Sequence, residues 1–171
     1  MLSKNVEKLL SDQVNFEIYS AYIYLAMGAY SDSIDMPGAA NWFKVQWEEE
    51  LFHARKMYDY LLERGGRQVF DAIQAPPKEW DSLLAAFEAA LAHEELVTSR
   101  INDIMAVAEQ ERDYATRSFL QWFVDEQVEE EANVKELIRQ IKMVQDSGHG
   151  LYMLDKELAS RLFTPPTGEQ S

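Results

Sequence analysis

Four long stretches of this chain carry apolar residues at alternating spacings of three and four, and each of these stripes is broken near its middle by a glutamate. That spacing lines one face of an α-helix and turns the face towards a bundle core. Over residues 4–32 the stripe reads Leu10, Val14, Glu17, Ala21, Tyr24, Gly28. Over 38–64 it reads Phe43, Trp47, Glu50, Ala54, Met57, Leu61. Over 81–110 it reads Leu84, Phe87, Leu91, Glu94, Thr98, Ile101, Met105, Ala108. Over 113–145 it reads Leu120, Phe123, Gln127, Glu130, Val134, Leu137, Ile141, Val144. Four helices of similar length packed side by side would bring Glu17, Glu50, Glu94 and Glu130 to one level.

The connections restrict how those helices pack. Residues 33–38 break the first from the second, and Pro37 suits a first helical turn. Residues 111–113 join the third to the fourth, with Asp113 placed to cap the latter. Gly65-Gly66 ends the second helix, and Ala75-Pro76-Pro77 leads into the third. The intervening link, about 14 residues, reaches roughly 46 Å when extended. A helix of about 28 residues is roughly 42 Å long. The link can therefore run the length of the bundle and make the second and third helices parallel, although a loose surface loop has the same length. A short amphipathic helix is expected over 151–163, before Thr164-Pro165-Pro166 and a polar tail. The expectation is an all-α chain, one domain over 1–171, with the bundle at about 4–145.

A carboxylate taken out of water costs several kcal/mol unless something compensates it. No Lys or Arg stands in the four stripes. Protonation can neutralise one or two carboxylates, but multivalent cations answer a cluster of four directly. Helix axes about 8–10 Å apart let glutamates from facing helices meet around a pair of ions. His53 lies three residues after Glu50, so both face the same way. Alone, it reads as well as an exposed or hydrogen-bonded histidine. Beside four aligned glutamates it reads as a ligand, and a carboxylate–imidazole set suits iron, manganese or zinc better than magnesium or calcium. Glu50 is central enough to bridge, with Glu17 and His53 completing one metal position and Glu94 and Glu130 the other.

Composition narrows the partners. With 30 acidic residues against 16 basic, the net charge of −14 repels nucleic acid and anionic lipid and attracts cations. The absence of Cys excludes thiolate-ligated metal centres and disulfides. No apolar run is long enough to span a bilayer. The start of the chain lacks the apolar stretch of a signal peptide. No nucleic-acid or membrane partner is expected, and a cytoplasmic location is.

Asn15-x-Glu17-x-x-Ser20-Ala21-x-x-Tyr24, Glu48-Glu49-Glu50-Leu51-x-His53-Ala54, Glu94 and Gln127-x-x-Glu130 together resemble the non-haem prokaryotic ferritins. The resemblance extends over essentially the whole chain, including Gly65-Gly66, Pro76-Pro77 and Phe163-Thr164-Pro165-Pro166. It implies a ferritin-like four-helix bundle with one long crossover and a short C-terminal fifth helix. It also implies a ferroxidase centre at Glu17, Glu50, His53, Glu94 and Glu130, with Tyr24 and Gln127 supporting the ligands. Fe(II) and O2 or H2O2 would be the reactants, and a homo-oligomeric cage of twenty-four subunits would hold the mineral. Glu49, Glu126 and Glu129 resemble ligands of a third iron beside the pair; lining of the cage cavity is the equal alternative.

Haem is not expected. Haem-containing bacterioferritins carry a second Glu-x-x-His in the fourth helix, where this chain has Gln127-x-x-Glu130, and a haem-ligating Met where it has Phe52. Tyr24 by itself reads as a core tyrosine, and Trp47 and Trp122 as core or subunit-contact residues. His93 and His149 read as surface or contact residues. A di-iron oxidase or oxygenase of an organic substrate is the alternative activity. It would need an apolar pocket beside the metals, where Phe43, Trp47 and Phe123 leave little room.

Overall fold

The computed structural model describes residues 2–165. Met1 and residues 166–171, including Pro166 of the tail motif, lie outside the described residues. Among the described residues five helices form: α1 over Lys4–Ser33, α2 over Pro37–Glu63, α3 over Leu83–Gln110, α4 over Tyr114–Val144 and α5 over Gly148–Leu158. Each long helix starts where local chemistry permits. Ser3, Ser82 and Asp113 accept hydrogen bonds from the amides of Val6, Ala85 and Thr116, satisfying donors that the first turn leaves open. Pro37 begins α2, where its missing N–H costs nothing.

The first three helices stop alike. The amides of Met36, Gly66 and Asp113 reach back to the carbonyls of Ser31, Leu61 and Ala108. The residue before each amide, Asp35, Gly65 or Arg112, takes a positive φ of 60°, 77° or 58°. Only Gly65 does so without a Cβ penalty.

Two apolar clusters fill the bundle. One holds Tyr24, Met27, Phe43, Phe87, Ala90, Val134 and Ile141, with α5 closing it through Leu154 and Leu158. The other holds Leu10, Val14, Met57, Leu61, Ile101, Leu120 and Phe123. Each large side chain fully buried there contributes about 1.5–3 kcal/mol. Residue numbers rise from the second cluster to the first in α1 and α4, and from the first to the second in α2 and α3. So α2 and α3 run parallel, as the long link allows. The link itself follows α1. The Arg67 amide bonds to Glu7, the Val69 amide and carbonyl to Ser11 and Asn15, and Trp80 packs on Tyr30.

Three expectations need correction. The third helix starts at Leu83, not residue 81, because the Ser82 hydroxyl caps it. The last helix spans Gly148–Leu158 rather than 151–163. Ser147 caps its start, and the Asn41 side chain takes the carbonyls of Leu158, Ala159 and Arg161 beyond its end. Within α4, Leu137 is only half-buried and Ile138 takes its place in the core.

Candidate metal centre

A polar layer divides the two apolar clusters at mid-height. α1 supplies Glu17, α2 supplies Glu50 and His53, α3 supplies Glu94, and α4 supplies Gln127 and Glu130. All six are between 0% and 4% exposed. The reason is register: each residue falls where its helix's apolar face crosses the same level.

Within this layer Glu17, Glu50 and His53 converge. One ligand atom from each lies within 4.8 Å of the other two, a spacing that could hold a metal ion. His53 Nδ1 is 3.6 Å from Glu50 Oε2. Glu17 Oε2 and Glu50 Oε2 are buried with no hydrogen-bond partner. Buried carboxylate oxygens left bare are costly in a folded protein, and a cation supplies what they lack.

Glu94 and Glu130 form the other half, each held by side chains from neighbouring helices. Tyr24 Oη donates to Glu94 Oε1. Gln127 Nε2 donates to Glu94 Oε2 at 3.0 Å. Gln46 Nε2 donates to Glu130 Oε2 at 2.9 Å. Tyr24 and Gln127 thus both converge on Glu94.

Electrostatics follows from the crowding. Burial, then the charges of Glu94 and Glu17, holds Glu50 well above the usual carboxylate range. Burial and Glu130 push Glu94 up to about 8 against the hydrogen bonds from Tyr24 and Gln127. Burial, then Glu94 and Glu50, raises the Tyr24 phenol well above its ordinary value. Burial lowers His53 despite the pull of Glu17 and Glu130, keeping the imidazole neutral and free to ligate. In the metal-free protein this layer resists full ionisation; a divalent cation would reverse that balance.

Sequence reasoning missed two amides. Gln13 Nε2 donates to Glu17 Oε1 at 2.8 Å, and Arg100 Nε in turn donates to Gln13 Oε1 at 2.8 Å. Gln46 is the other. Both are fully buried. The available signal was spacing, since Gln13 and Gln46 each precede a stripe glutamate by four residues, one helical turn.

His93 corrects an expectation. It is buried, not a surface residue, stacked on Phe16 with ring centroids 5.3 Å apart, and its Nε2 lies 2.7 Å from Ser20 Oγ. The Ser20 hydroxyl donates to the Phe16 carbonyl, so the imidazole is the donor to Ser20. Burial pulls His93 down to about 4, so it is neutral.

The three outlying glutamates differ from one another. Glu129 is exposed, and Glu126 is half-buried and raised by burial, then by Glu130 and Glu129. Glu49 is raised to about 7 by burial against the pull of Arg161, whose Nη2 lies 2.7 Å from its Oε2.

A four-helix bundle with carboxylates and an imidazole buried at its waist belongs to the class of ferritin-like metal proteins. The profile described as the ferritin-like domain matches residues 7–144. A bacterial non-heme ferritin from Staphylococcus aureus (strain MRSA252) is 44% identical over 163 residues, covering 95% of this chain and 98% of that protein. The bacterial non-heme ferritin of Staphylococcus haemolyticus is also 44% identical, with the same coverage. Among solved structures, the open-pore ferritin of Archaeoglobus fulgidus superposes with a TM-score of 0.94 at 49% identity, covering 95% of this chain and all of that one. The chain belongs to the ferritin family of iron-storage proteins.

Proposed function

We propose that this protein is a ferroxidase: it oxidises Fe(II) to Fe(III) at a pair of adjacent positions in the buried layer and stores the ferric product inside a hollow homo-oligomer. Glu17 and His53 bind one iron, Glu94 and Glu130 the other, and Glu50 bridges them. Tyr24 and Gln127 hold Glu94 in place. The observation that carries this reading is the pair of bare, buried oxygens on Glu17 and Glu50 beside a neutral imidazole.

Carboxylate ligands stabilise Fe(III) more than Fe(II), which favours electron loss. Two irons side by side can pass two electrons to one O2 or H2O2, which limits one-electron products. Hydrolysis of the ferric product releases protons. The net negative charge of the chain attracts Fe(II), and acidic side chains facing a cavity would nucleate the mineral. Glu49, Glu126 and Glu129 are read as a third iron position beside the pair, with lining of that cavity as the equal alternative. A twenty-four-subunit cage, a single domain over residues 1–171 and a cytoplasmic setting complete the reading. No helix among the described residues is long and apolar enough to cross a membrane.

The test is aerobic addition of Fe(II) to the purified metal-free protein, followed by optical absorbance and then sizing. The reading expects oxidation faster than in buffer and iron that elutes with a large protein assembly. Oxidation at the buffer rate, or iron oxide that separates from the protein, would overturn it.

A further inference from the structure

The segment after α5 reaches the edge of the metal layer: Arg161 meets Glu49, and Phe163 packs on Phe52 with ring centroids 6.4 Å apart. α5 is pinned to the start of α2: the Ala39 amide donates to Asp155 Oδ1 at 2.9 Å, and Asn41 Nδ2 donates to the Leu158 and Arg161 carbonyls at 3.2 and 3.0 Å. The approach is close enough that a Cβ on Gly38 would meet the Asp155 carbonyl oxygen at 1.7 Å. This docking delivers Arg161. Its guanidinium lies 4.6 Å from the centre of the Trp42 ring, Nη1 donates to the Trp42 carbonyl at 3.4 Å, and Nη2 donates to Glu49 Oε2 at 2.7 Å. Glu49 is the neighbour of the bridging Glu50.

A carboxylate oxygen held by a guanidinium is engaged by a positive charge. A metal cation drawn to the same carboxylate competes with that group for its charge and lone pairs, and the two cations repel each other at close range. We propose that Arg161 is a resident competitor for the third metal position. It holds Glu49 while no cation is there and yields when one arrives, so occupancy of that position is coupled to the seating of the segment after α5. The inference rests on the reading of Glu49, Glu126 and Glu129 as a third iron position. It makes Arg161 a positioning residue that sets metal affinity there, not a ligand.

Calorimetric titration of the metal-free assembled protein with Zn(II), a redox-inert stand-in for Fe(II), tests this. The parent protein, Arg161→Gln and Arg161→Lys are compared. The proposal expects a third equivalent per subunit that binds on the order of tenfold tighter in Arg161→Gln. It expects binding close to the parent's in Arg161→Lys and no change in the first two equivalents in either variant. It also expects hydrogen exchange over residues 159–163 of the parent to rise as the third equivalent binds. A variant that merely loosened the fold would weaken binding, so tightening marks competition. A third equivalent of unchanged or weaker affinity in Arg161→Gln would overturn the competitor role while leaving the third position standing. Absence of a third equivalent in every variant would overturn the third-position reading, and this inference with it.

Discussion

Two polar clusters, one joining the end of α2 to the start of α4 and one shared by all four long helices at mid-height, solve the same problem in opposite ways. At the end of α2, Arg64 Nη2 donates to both oxygens of Asp113 at 3.1 Å, while Nη1 reaches Thr116 Oγ1 at 3.1 Å and also Tyr60. Thr116 closes the ring by donating to Asp113 Oδ2 at 2.7 Å. Burial pushes Asp113 up, but the hydrogen bonds from Thr116 and Arg64 outweigh it and hold the carboxyl below its usual range. At mid-height, the hydrogen bonds to Glu17, Glu94 and Glu130 come from neutral amides and a phenol. There Glu50 and Glu94 are driven up, and two oxygens stay bare. One cluster carries its counter-charge in the chain. The other has, among the described residues, no cationic partner on its carboxylates, the arrangement on which the proposed metal site rests.

The comparison can be broken most severely at Glu50. Glu50→Ala should slow iron oxidation on the order of 100-fold in stopped-flow absorbance, while circular dichroism still reports a folded bundle. Oxidation at the parent rate would remove Glu50 from the centre. Next in size is metal itself. Saturating Zn(II) should raise the melting temperature of the metal-free protein by roughly 5–10 °C in calorimetry. The same addition to Glu50→Ala should shift it far less.

Smaller, and on the other side of the comparison, Asp113→Ala should cost about 2 kcal/mol in denaturant unfolding. It removes both the cap of α4 and the partner of Arg64, and should leave iron oxidation unchanged.

The smallest expected effect is a difference in pH profile. Glu94 sits at about 8 in the folded chain, above its ordinary 4.5. Its contribution to stability is therefore full below about pH 4.5 and is lost as pH rises towards 8. Asp113 sits below its ordinary 3.8, so its contribution is present above that pH and is lost on further acidification. Melting curves of the metal-free protein should fall between pH 5 and pH 8. Glu94→Gln should flatten that limb, and Asp113→Asn only the acid one.

Much of the fold was legible because the apolar stripes state both the helical period and the face. Pro37, Gly65 and Asp113 mark helix ends for reasons of backbone chemistry alone. The stops at Asp35 and Arg112 were not legible as positive-φ residues, since neither has glycine's freedom. α5 was misplaced because its ends are set by Ser147 and by Asn41, and Asn41 is more than a hundred residues away in sequence. The four glutamates could be read because a charge inside an apolar stripe needs a reason. Gln13 and Gln46 lie off those stripes, where an amide attracts no notice until its partner is placed. His93 was misread for the same reason: its burial depends on Phe16 and Ser20, brought to it by the crossing of α1 and α3.

The most direct measurement is anomalous diffraction at the iron edge from crystals soaked anaerobically in Fe(II). Two peaks per subunit are expected at the level where the apolar core is interrupted, one against Glu17 and His53, one against Glu94 and Glu130, with Glu50 between them. Iron found only on the acidic outer surface, with that level empty, would contradict the account.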